Sequence, residues 1–130
     1  LDSLHLQQAQ PKNALNVYGL PLQVCSLRPK TGYTRDGYCQ CFDNDPGHHC
    51  ICVQVTDKFL EFSKAKGNDL STPRTEYNFP GLKAGEQWCL CTLRWVEAYE
   101  AGCAPHVCLE SSHQDILKYI DLETLEKYQV

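Results

Sequence analysis

Methionine is absent from the 130 residues, and no apolar run approaches the ~18 residues of a membrane-spanning helix, so the sequence does not read as membrane-spanning. Basic residues are sparse: twelve Lys and Arg stand against sixteen Asp and Glu, a net charge of −4. With no Lys/Arg cluster and no basic stripe interleaved with aromatics, the chain lacks the footprint of phosphate-backbone binding, which argues against nucleic acid. No Asn-x-Ser/Thr sequon occurs, which speaks against a glycosylated secretory protein. A P-loop, a dinucleotide fingerprint and paired catalytic carboxylates are missing as well, and there is no low-complexity tract.

What is plentiful is cysteine, nine in all. A domain of this size buries roughly two-thirds of the surface that its unfolded chain exposes, so a core forms without covalent help. The cysteines therefore point to a disulfide framework, a metal site or thiol chemistry, and an odd number leaves at least one out of any set of internal bridges. They are densest from Tyr38 to Gln54, as Cys39-Gln-Cys41, then Phe-Asp-Asn-Asp-Pro-Gly-His, then His-Cys50-Ile-Cys52. Alternation along a strand puts each Cys-x-Cys pair on one face, and the turn-rich middle reads as a hairpin loop. Such a hairpin sets Cys41 opposite Cys50 and Cys39 opposite Cys52, and a third pair, Cys89 and Cys91, aims at the same patch by the same alternation.

Along the chain, residues 1–15 read as a polar, Gln-rich arm, and residues 16–130 as one cysteine-rich domain. Residues 16–26, with Gly19 and Pro21, read as an edge strand or extended loop carrying Cys25. Residues 57–66 have a helical pattern with Thr56 as N-cap, Phe59, Leu60, Phe62 and Ala65 on one face, and Gly67 as a stop. Residues 67–86 form an irregular segment long enough to be functional or disordered. A second helix is expected over 92–101, with Leu93, Val96 and Tyr99 inward, then a short strand over 105–110. Ser112-His-Gln-Asp115 has the spacing of a capping box, and Asp121 caps a final short helix through Leu125. The expected fold is a single compact α+β domain of short antiparallel strands, three to four short helices and long irregular loops.

Three readings of the cysteines stand side by side. Zinc needs four thiolate or imidazole ligands, usually from Cys-x2-4-Cys turns. Cys-x-Cys is tighter, so one sulfur from each pair ligates more easily, and Cys39, Cys52, Cys89 and Cys91 form a plausible set with His49 or His113 as substitutes. Disulfides join Cys41 to Cys50 and Cys103 to Cys108 most readily, because those separations are short. The third reading is buried thiols packing as small hydrophobes. Ser111, His113 and Asp115 have triad-like composition but are more simply a helix cap. Arg35-Asp36 and Asn68-Asp69-Ser71-Thr72 lie in irregular segments, where binding residues concentrate but where the same residues also close turns. Trp88, Trp95, Tyr77 and Phe79 read as core and loop packing, or as a partner surface.

Gly19-Leu-Pro-Leu, Thr31-Gly-Tyr-Thr-Arg-Asp-Gly37, Gly67-Asn-Asp-Leu-Ser-Thr-Pro73, Phe79-Pro-Gly-Leu-Lys83 and Trp88-Cys-Leu-Cys91 stand in this order. With Cys25-Ser, Cys39, Arg94-Trp95, Glu97-Ala98, Ala101-Gly102, Ala104-Pro105 and His113, they resemble the Domain of Unknown Function 2237 family over about residues 16–128. The resemblance implies a small soluble domain best known from bacteria, with no established reaction and so no catalytic residue to carry over. It implies cysteine at the positions of Cys25, Cys39, Cys52, Cys89 and Cys91 and histidine at that of His49, but usually Thr or an apolar residue at Cys41, Cys50, Cys103 and Cys108. These four departures fall into the two closable pairs, which implies two added disulfides and an oxidising compartment. The five shared cysteines are then the better candidates for a metal or a functional thiol.

Two functions of different class follow. One is a non-catalytic binding or assembly module, an accessory subunit of a larger organellar or exported complex with a protein partner reached through the arm or the long loop. The other is a thiol- or zinc-dependent enzyme using the clustered Cys and His residues. A chain opening at Leu1 without Met matches removal of a presequence on import into a eukaryotic organelle or other oxidising compartment; a cytoplasmic location is the alternative.

Overall fold

The computed structural model describes residues 14–77 and 79–130; most of the N-terminal arm expected over residues 1–15 lies outside the described residues. Its centre is a three-stranded antiparallel sheet in the order β2-β1-β3, from β1 (Ile51–Gln54), β2 (Gln87–Leu90) and β3 (His106–Val107). Helix α1 (Asp57–Ala65) follows β1, α2 (Thr92–Glu100) follows β2, and α3 (Leu122–Glu126) closes the chain. Three 3-10 turns complete the α+β fold, at Thr75–Tyr77, Leu109–Ser111 and Gln114–Lys118. Among the described residues, no helix is long and apolar enough to cross a membrane.

Register makes the sheet two-faced. Ile51 pairs with Leu90 and Val53 with Trp88, all buried in the main core, while Cys52 pairs with Cys89 on the opposite face. Helix α1 starts where Thr56 accepts a hydrogen bond from Phe59 N (3.1 Å), and it buries Phe59, Leu60 and Ser63. Phe62 is only partly buried.

Helix α2 buries Thr92, Trp95 and Ala98. The inward face expected from Leu93, Val96 and Tyr99 is therefore turned by one residue, and Leu93 is 57% exposed. Trp95 decides the rotation. Its indole N–H donates to Pro105 O (3.2 Å), and its ring stacks on Tyr99 and meets Tyr128 edge-on, so Trp95 belongs to the core.

The Cys39–Cys52 hairpin does not form. Both edges of β1 are taken by β2 and β3, and Cys39 makes only an isolated bridge to Ser112. Instead the 42–49 segment is wound around Asp45, whose main-chain N–H donates to Phe42 O and whose C=O accepts from His48 N.

Candidate functional site

Three cysteine pairs lie at disulfide distance: Cys25 with Cys52, Cys39 with Cys89, and Cys41 with Cys50. Cys52 and Cys89 face each other across β1 and β2, and each is tied outward to the irregular segment before the sheet. With Cys25 and Cys39 they form a separate buried cluster, against which Cys108 packs. The sheet thus holds residues 25–39 through two adjacent bridges. That segment also turns on its own bonds: Cys25 N donates to Gly37 O (2.7 Å) and Gly37 N to Thr31 O (2.9 Å). Such pairs point to an oxidising environment.

Cys91, Cys103 and Cys108 are free cysteines. The structure does not join Cys103 to Cys108. Cys103 N closes the end of α2 on Ala98 O (2.8 Å), whereas β3 carries Cys108 to the sheet, where its N–H donates to Cys52 O (2.8 Å). Burial, and then Glu110 nearby, push the Cys108 thiol up to about 11.

The zinc set expected from Cys39, Cys52, Cys89 and Cys91 is divided between two places. Three of its sulfurs are bonded to sulfur and offer no thiolate. The fourth departs because β2 ends at Leu90: Cys91 is the N-cap residue of α2, with φ −58° and ψ 126°, and no longer follows the strand alternation. Among the described residues, three groups bring possible ligand atoms within 4.8 Å of one another, and each includes a disulfide cysteine. One holds Cys41, His113 and Asp115; another holds Cys41, His48 and Cys50. With the disulfides intact, these donor sets do not fit a tetrahedral zinc.

Ser112 is not the cap expected of it, and His113 takes that place. Ser112 Oγ accepts from Cys52 N (2.9 Å) and donates to Cys108 O (2.9 Å), stitching the sheet edge. His113 does the capping, accepting from Asp115 N through Nδ1 (3.1 Å), which requires a neutral ring. Burial holds its pKa below the ordinary value, against the pull of the Asp115 carboxylate.

His49 is built differently. Its Nδ1 lies 3.0 Å from both carboxylate oxygens of Asp45, a residue 1% exposed. Asp45 also accepts from Gly47 N (3.1 Å) and His49 N (2.9 Å). Burial alone would raise the Asp45 pKa, but the hydrogen bonds from His49 and Gly47 and the His49 charge outweigh it and hold the pKa below its ordinary value. An ionised Asp45 only accepts, so Nδ1 carries a proton, and in the neutral ring Nε2 is the nitrogen with the free lone pair. Gly47 makes room for the ring, since a Cβ there would stand 2.5 Å from His49 Cε1. Sequence reading passed over Asp45; the Asp-Pro-Gly turn four residues before a histidine was the available signal.

His49 lines two cavities that share Leu70 and Trp88 as common walls. The larger, about 390 Å³, is bounded by Arg35 and Arg74 and by the rings of Tyr33, Tyr77, Phe79 and Trp88. Arg35 sits at φ 60°, a left-handed conformation held by its N–H on Gly32 O (3.0 Å) and its guanidinium on the same carbonyl (2.7 Å). The guanidinium then lies 5.0 Å from the centroid of the Trp88 ring. Arg74 is set by a two-way backbone bridge to Phe79 around the Thr75–Tyr77 turn. Ion pairs among the described residues are His49–Asp45, Arg94–Glu97, and His113 and Lys118 with Asp115, so neither Arg35 nor Arg74 is neutralised by a carboxylate. At the rim, Asp69 turns inward on itself, accepting from Ser71 N, Thr72 N and Thr72 Oγ1. The Arg35 and Asn68–Thr72 segments singled out in the sequence therefore meet here, together with Tyr77, Phe79 and Trp88.

Fold and site together define a small, disulfide-tied α+β domain with an arginine-bearing aromatic cavity beside its sheet. A family model described as an uncharacterized protein conserved in bacteria, Domain of Unknown Function 2237, matches residues 15–129, and the chain belongs to that family. No curated protein matches the chain.

Proposed function

We propose that this domain is a non-catalytic binding module whose recognition site is the larger cavity, and that its ligand presents a carboxylate on an aromatic or apolar body. One observation carries the reading: two guanidinium groups without carboxylate partners among the described residues share a ring-lined cavity of about 390 Å³ in a protein of net charge −4. Guanidinium binds carboxylate through paired, charge-assisted hydrogen bonds, and the rings shield those bonds from water. In the assembly role expected from the sequence, the carboxylate is a partner protein's C-terminal group beside an apolar side chain, and the domain serves as an accessory subunit of an organellar or exported complex. The disulfides support an oxidising location for such a complex.

The test is calorimetric titration with short peptides ending in Phe, with free and with amidated C-termini. Binding of the free acid, weakened about tenfold or more by amidation and by Arg74→Gln, is the expected result. Equal binding of acid and amide, or no binding of either, overturns it.

A further inference from the structure

We propose that Cys91 is a nucleophilic thiol served by His49 as base, with Asp45 as the positioning residue, and that it takes a molecule bearing an electrophilic carbon.

Cys91 and His49 line one cavity of about 220 Å³, which also receives Arg94 and is walled by Leu70, Trp88 and Leu90. Two hydrogen bonds clamp the segments together, because Thr92 N (3.1 Å) and Thr92 Oγ1 (2.8 Å) both donate to His48 O. The residue after Cys91 is thereby held to the residue before His49. The Cys91 side chain is outside every disulfide and caps no N–H of α2, so its sulfur has no structural duty. His49 has the opposite character: its Nδ1 is committed to buried Asp45, its ring rests on Gly47, and Nε2 is the nitrogen left for exchange. A thiol, a base, and an orienting carboxylate behind the base is the general arrangement for activating a nucleophile. Arg94 completes the wall, its guanidinium donating to Lys66 O and to Glu97 at 3.2 Å, so that its charge is paired with the Glu97 carboxylate.

The step balances without a further reagent. The Cys91 proton passes to His49 Nε2, Sγ forms a bond to the electrophilic carbon, the leaving group departs with its electron pair, and Asp45 stabilises the resulting imidazolium. The capture is a single covalent addition to the protein and not a turnover, so it stands beside the binding role, and it does not rest on occupancy of the larger cavity.

Iodoacetamide is the probe, used on the intact, oxidised protein with peptide mapping of Cys91, Cys103 and Cys108. Cys103, a free and partly exposed thiol outside this cavity, is the internal reference. Cys91 is expected to react with iodoacetamide about tenfold or more faster than Cys103. His49→Gln is expected to slow Cys91 by about tenfold or more, to about the Cys103 rate, to leave Cys103 unchanged, and to regain part of the rate with added imidazole. Asp45→Asn is expected to slow Cys91 by a smaller factor than His49→Gln does. Cys91 reacting at the Cys103 rate in the native protein overturns the proposal, independently of how any variant folds. So does an unchanged Cys91 rate in a folded His49→Gln protein.

Discussion

At the scale of single residues, Asp45 and His113 make opposite uses of burial. Asp45 is buried and ionised because three N–H groups from Gly47 and His49 point at it. Hydrogen bonds to a charged group are worth about 1.5–3 kcal/mol each, so Asp45→Asn is expected to destabilise by about 2 kcal/mol at pH 7, measured by urea unfolding. Its folded pKa is depressed. The stability it confers is therefore complete above the ordinary carboxylate value and is lost as pH falls through the lower folded value, so the cost of the variant should shrink in acid. A constant cost at every pH down to acid unfolding is the contrary result. His113 is depressed by desolvation, with Asp115 and Lys118 as the charges near it. The unfolded chain takes up this proton more readily than the folded one, so stability is full above about 6.5 and declines as pH falls below it. His113→Gln is expected to flatten that decline when unfolding midpoints are compared across the range.

At the scale of elements, the sequence pattern was most informative where a local hydrogen bond decides the outcome. Thr56 and Asp121 were legible as N-caps because each accepts from the N–H three residues on, Phe59 and Thr124 respectively. Thr56→Ala is expected to cost about 1 kcal/mol in chemical denaturation without altering the disulfides. Faces were less legible. Leu93 and Val96 have the spacing of a core stripe, but the bulk of Trp95 and its bond to Pro105 O turn α2 toward the neighbouring triad of 92, 95 and 98. Alternation likewise placed Cys91 beside Cys89, and the end of β2 at Leu90 sent it elsewhere. A one-residue difference in where an element ends reverses the side on which the next residue lies.

At the scale of the whole molecule, the disulfides join distant segments to the sheet. Cys39 and Cys89 are 50 residues apart, Cys41 and Cys50 only 9. Loop-closure entropy then assigns about 4 kcal/mol to the first bridge and about 2.5 kcal/mol to the second. Replacing Cys39 and Cys89 by Ala should lower stability by roughly 1.5 kcal/mol more than replacing Cys41 and Cys50, measured by denaturant unfolding of the two double variants. Alkylation in denaturant without reductant is expected to modify Cys91, Cys103 and Cys108 and to spare the other six. Modification of all nine would remove the disulfide framework.

The α+β class, the helix starts and the family were determined by the sequence alone, because periodicity, caps and ordered motifs are local features of the chain. The cavity segments were visible too, as Arg35-Asp36 and Asn68-Asp69-Ser71-Thr72, though not as neighbours. Tertiary structure decided which cysteines meet and which three sulfurs are left over, which histidine is backed by a buried carboxylate, and that Arg35 and Arg74 share one cavity. The physical reason is sequence distance: the cavity joins residues from 33 to 88, and only the closing of the sheet brings them within reach of a single ligand.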